Sequence, residues 1–120
     1  MSFAARMESL TDEYKDRLRR VRNSATMKVV NEAQTPVASG GNMPVKTGNL
    51  RGSIAGRVGD RPSTTSGSPA SALASAALSD LVFIGWTANY SLQMEARYGF
   101  ARLATANWRS KVEEAAREVR

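Results

Sequence analysis

The side chains with chemical potential in this sequence are hydroxyls, carboxylates and arginines, because it contains no histidine and no cysteine. That absence removes imidazole acid–base catalysis, the commonest transition-metal ligand, thiolate nucleophiles and disulfides. Carboxylate-only metal sites and Lys or Tyr chemistry remain. The hydroxyl run Ser63–Thr64–Thr65–Ser66 has no histidine or suitable lysine to activate it, and reads as loop. Asp12 with Asp16, and Glu113 and Glu114 with Glu118, are the carboxylate groups that a metal could use. Their spacing to Arg20 and Arg117 equally makes them solvated helix faces with ion pairs four residues apart. Gly40–Gly41 belongs to neither a dinucleotide-binding nor a phosphate-loop pattern and marks a turn. We therefore expect no enzyme, no catalytic residue, no metal and no cofactor.

The densest positive charge is Arg17, Arg19, Arg20 and Arg22. The chain carries 17 Lys and Arg against 11 Asp and Glu, a net charge of +6. Such a surface suits non-specific contact with DNA phosphates, which needs charge density rather than exact geometry. An acidic protein neighbour, or simple solvation among nearby acids, explains the same residues. Trp86, Tyr90, Tyr98, Phe100 and Trp108 read as core or interface aromatics, and their spacing makes no base-stacking platform.

The elements that must carry these residues follow from periodicity. At 120 residues the chain has the size of one domain. Phe3, Met7, Leu10, Tyr14, Leu18, Val21, Ala25 and Val29 recur at spacings of three and four, which predicts one long amphipathic helix over 1–35. About 32 helical residues make a rod of about 48 Å, long for a domain with a radius of gyration of about 13 Å. Either its apolar stripe meets another chain, or the helix breaks near Asn23–Ser24 and folds back. Thr35–Pro44 is a Gly/Pro loop. Thr47 is placed to cap a turn through Leu50 and Arg51, and Ser53–Val58 reads as a strand. Residues 59–68 read as a flexible loop.

Pro69–Leu78 suits a helix with proline at its first position, and equally strand-like backbone continuing into its successor. Leu81–Trp86 reads as a strand whose lack of alternation predicts burial on both faces. A helical turn follows over Ser91–Arg97, then a C-terminal helix over 99–120 with Phe100, Leu103, Ala104, Trp108, Val112, Ala115 and Val119 inward. The class is α+β: a long N-terminal helix, a small sheet with irregular loops, and a C-terminal helix packed on it. The longest weakly apolar stretch, Pro69–Trp86, is broken by serines and Asp80, so we expect no membrane span. No run of signal-peptide length opens the sequence, and we expect no secretion.

Two segments carry a family likeness. Residues 43–54, MPVKTGNLRGSI, resemble the P-V-D-T-G-x-L-R-x-S-I signature of tail-completion or neck proteins of long-tailed bacteriophages. Residues 82–115 resemble the block that follows in that family: a strand, an N-Y-A-x-x-x-E-x-G segment and a helix opening with an aromatic–x–Arg pattern. Lys46 stands where the family carries an acid. Glu95 is followed by Ala96, Arg97 and Tyr98 before Gly99, which displaces the family's glycine. The matching positions, Pro44, Val45, Thr47, Gly48, Leu50, Arg51, Trp86, Tyr90, Glu95 and Phe100, are candidates for motif or interface roles. Pro44–Val45 imposes an extended approach, Gly48 permits a tight turn, and Leu50 and Ile54 are expected in a core shared with the second strand.

The resemblance implies a structural virion protein of the neck, assembled in the host cytoplasm, that joins the DNA-filled head to the tail. It further implies a homo-oligomeric ring around the DNA channel, a hexamer if it follows tail symmetry, in contact with other neck and tail proteins. A tail terminator capping the tube is the alternative within the class. A small basic nucleic-acid-binding regulator is the alternative outside it.

Overall fold

The computed structural model describes residues 2–119. The architecture is α+β, as the periodicity predicts. The first helix, α1, runs unbroken from Phe3 to Ala33. It does not fold back at Asn23–Ser24, because no proline or glycine interrupts its hydrogen-bond ladder. Ser2 caps it, its hydroxyl accepting from the Ala5 N–H at 3.2 Å. At 31 residues α1 is about 46 Å long. It gives the molecule extents of 60 × 29 × 18 Å and a radius of gyration of 16.9 Å, well above the ~13 Å of a compact domain near this size.

After α1 the chain turns back through a 3-10 turn at Val37–Ser39 and a parallel bridge between Pro36 and Met43. The short helix α2, Asn49–Gly52, then leads into strand β1, Ile54–Val58. Helix α3, Pro69–Ser75, begins as expected with proline in its first turn, capped by Ser68. It stops three residues before Leu78, because Ala76 turns to an extended conformation and Asp80 accepts from the Ala77 N–H at 2.8 Å. Strand β2, Val82–Trp86, pairs antiparallel with β1, with Ile54 opposite Trp86 and Val58 opposite Val82.

The segment 59–68 contains no helix or strand, yet it makes specific contacts around β1. Pro62 lies over Gly85, the Gly67 carbonyl accepts from the Gly56 N–H at 2.9 Å, and Ser63 and Ser66 bond to each other. The expectation that β2 is buried on both faces is not met. Its residues are half-buried, Phe83 is exposed and the preceding Leu81 is 71 % exposed. The face that carries Ala55, Gly85 and Phe83 is covered only in part, by Pro62 of the loop over Gly85, which leaves Phe83 open.

Helix α4, Ser91–Tyr98, is followed by two helices in place of the single one expected over 99–120: α5, Phe100–Thr105, and α6, Trp108–Glu118. The break falls at Ala106–Asn107, where the Asn107 N–H bonds the Ala104 carbonyl at 3.1 Å. The Asn107 amide is held from outside, donating to both carboxylate oxygens of Glu32 at 3.1 Å. This turn lays α6 along α1, where Lys28 meets Glu114 at 3.3 Å and Glu118 at 3.1 Å. It also carries Leu103 and Trp108, expected inside, to exposed positions, while Phe100, Ala104 and Ala115 remain buried.

The core lies at the C-terminal end of α1. Val29 and Ala33 pack with Ala104 and Trp86, and a second group joins Met43, Leu50 and Phe100 with Trp86, Tyr90 and Met94. Trp86 belongs to both groups, its ring edge-to-face with Phe100 at 4.7 Å. Among the described residues, no helix is long and apolar enough to cross a membrane.

Candidate assembly surfaces

The two distant motif segments close upon each other. Gly48 adopts φ +81°, a conformation that glycine takes without steric cost, and starts α2 there. Thr47 is therefore not the N-cap; its hydroxyl sits one residue earlier and accepts from the Asn49 N–H at 3.4 Å. The turn sends Leu50 into the core against Phe100. It also brings the Asn49 amide to the Tyr90 hydroxyl at 2.8 Å, joining the first motif to the second. Pro44, Lys46, Thr47, Tyr90 and Met94 line a shallow depression of ≈ 220 Å³ over this seam. Val45 is exposed on the opposite side of the turn, near Arg51 and Ile54.

Arg51 and Glu95 serve structure. The Arg51 guanidinium donates to the Gln34 carbonyl at 2.9 Å, and the Gln34 amide donates to the Arg51 carbonyl at 2.8 Å. Glu95 accepts from the Ala101 and Arg102 N–H groups at 2.8 and 2.9 Å, closing the N-terminus of α5. Its partners lie six and seven residues away through the turn at Gly99, a spacing no helical periodicity announces. Gln34 was not singled out by the sequence, yet it also accepts from the Trp86 indole at 2.8 Å. Nothing in its local pattern marks it, because its two partners, Arg51 and Trp86, come from two other segments.

The four arginines of α1 separate into different roles. Arg22 donates to the Ala77 and Ala76 carbonyls at 2.6 and 3.1 Å and to the Asn23 side-chain oxygen. It satisfies carbonyls left open beyond α3, so the Arg22 guanidinium is engaged within the chain. Arg19 and Arg20 both reach Asp16 at 3.1 Å. The Arg19 hydrogen bond, with the charge of Arg20, holds the Asp16 carboxyl below its ordinary pKa. Arg17 is exposed and makes no side-chain hydrogen bond or ion pair among the described residues.

The expected Glu113–Arg117 pair is replaced by Arg109–Glu113 at 3.5 Å, while Glu114 and Glu118 turn to Lys28. Among the described residues, no three acidic side chains converge into a metal-binding group.

No family model matches this chain, and neither a curated protein nor a solved structure shows detectable similarity to it.

The largest unpartnered apolar feature is the first half of α1. Phe3, Met7, Leu10, Tyr14 and Leu18 are 80, 48, 55, 69 and 47 % exposed, while the same stripe becomes buried at Ala25, Val29 and Ala33. Five large apolar side chains in one line on a projecting rod exceed the scattered exposure of ordinary surfaces.

Proposed function

We propose that this protein is a structural subunit of the neck of a tailed bacteriophage, forming part of a ring that joins the DNA-filled head to the tail. The observation that carries this reading is the packing of the two family-like blocks into one unit. Residues 43–54 and 82–101 share Met43, Leu50, Phe100 and Trp86 and the Asn49–Tyr90 bond. The motif thus acts as a joint that fixes the shape of a subunit. Closed rings repeat one heterologous contact around an axis, and a rod projecting from a compact end supplies two separate surfaces for such a contact. A hexamer matches tail symmetry, by analogy with the family. The engagement of Arg19, Arg20 and Arg22 within the chain favours assembly over the nucleic-acid-binding regulator.

Silencing this gene alone and examining the particles by electron microscopy tests the proposal. DNA-filled heads beside unattached tails of normal length are the expected outcome. Tails of uncontrolled length would move the assignment to a terminator, and joined, infectious particles would refute both.

A further inference from the structure

We infer that a second copy of this chain covers the exposed stripe from Phe3 to Tyr14, the two α1 helices pairing antiparallel over residues 3–14 about a two-fold axis. Phe3, Met7, Leu10 and Tyr14 follow a four–three–four spacing, the seam of a two-stranded helical pair, and the next seam position is Arg17. Parallel pairing sets each seam residue against its own copy. Arg17 would then face the partner's Arg17, with Arg19 and Arg20 of both chains alongside, a concentration of like charge that opposes association.

Antiparallel pairing removes this conflict. With Met7 against the partner's Leu10 and Phe3 against the partner's Tyr14, Arg17 falls beyond the end of the overlap. The two compact ends lie at opposite extremes of the pair and do not meet. Charge complementarity supplies the rest. Arg6 and Glu13 flank the seam on the same side, seven residues apart. In this register each Arg6 faces the partner's Glu13, twice by symmetry. Neither has an ion-pair partner within its own chain among the described residues.

The size of the contact is sufficient. Phe3 and Tyr14 are the most exposed of the stripe residues, and an aromatic side chain buries ~150–250 Å² when fully covered. With Met7 and Leu10 from both copies the total is on the order of 1,000 Å², the lower bound of specific interfaces. A contact at this low end of the size range suits a weak, reversible dimer. It is an isologous contact of the free chain, made on the rod that the ring reading assigns to subunit contact, and it does not depend on the head–tail reading.

Sedimentation equilibrium of the full chain across micromolar concentrations tests this. We expect a reversible dimer. Leu10→Asp should be monomeric, with a thermal unfolding curve that matches the parent's at concentrations too low for the parent to dimerise. Arg6→Glu and Glu13→Arg should each weaken dimerisation roughly tenfold, and the double reversal should restore it to near the original value. A monomer at every concentration would overturn the proposal, as would association that survives Leu10→Asp. A double reversal without recovery would overturn the antiparallel register.

Discussion

The indole N–H of Trp86 donates to the side-chain oxygen of Gln34 at 2.8 Å, fastening the end of β2 to the residue that closes α1. The same Gln34 exchanges two bonds with Arg51, so one side chain ties three segments that the sequence keeps 17 and 52 residues apart. Replacing Gln34 with Leu leaves the indole and the Arg51 carbonyl without these partners. The expected loss is about 1–3 kcal/mol in chemical denaturation, whereas Trp86→Phe, which keeps a ring against Phe100, should change the Asn49–Tyr90 seam little. Equal stability of Gln34→Leu and the parent would show that water replaces these bonds.

Glu95 is a capping residue whose helix begins after a turn. Glu95→Ala should cost about 1–2 kcal/mol, the scale of a lost N-terminal cap. Glu95→Gln should cost less, since its amide oxygen still accepts one bond. Thermal unfolding of the two variants side by side checks the order; reversal of that order would deny the carboxylate its capping role.

Gly56 is required by close approach. A Cβ there would lie 2.8 Å from the Pro69 Cα, 3.1 Å from the Ala72 Cβ and 3.2 Å from the Ser68 carbonyl oxygen. These are mostly backbone or short side-chain atoms that cannot rotate away, so Gly56→Ala should destabilise by about 1–3 kcal/mol. Gly52→Ala meets nothing within 4 Å and should stay within about 0.5 kcal/mol of the parent.

The Lys28 hydrogen bond to Glu118, with the adjoining Glu114, raises the lysine pKa above its ordinary 10.5. A raised pKa means that the folded state holds the proton more tightly than the unfolded chain. The resulting stability is complete below pH 10.5 and fades as pH climbs through the higher folded value. The stability gap between the parent and Lys28→Met should therefore be constant from neutral pH to about pH 10 and close above it. Asp16 behaves oppositely: its lowered pKa contributes stability above its ordinary 3.8 that is lost as pH falls through the lower folded value. A Lys28→Met gap that persists unchanged at strongly alkaline pH would mean that packing of the lysine stem, not its charge, provides the contribution.

Local periodicity and turn chemistry in the sequence determined the amphipathic stripe of α1, the two strands and the tight turn at Gly48. Each depends on residues within a few positions of one another, where backbone sterics and hydrophobic spacing act directly. Tertiary structure decided what those elements do. The α1 stripe looks uniform from Phe3 to Val29, yet only its far end finds a core, because the rest of the chain is too short to cover a rod of about 46 Å. Arg22 looked like its neighbours until the turn after α3 brought the Ala77 carbonyl to 2.6 Å. The C-terminal helix looked continuous until Glu32 took hold of Asn107. In each case the deciding partner lies more than fifty residues away. A hydrogen bond of that span is set by how packed elements meet, and leaves no trace in local spacing.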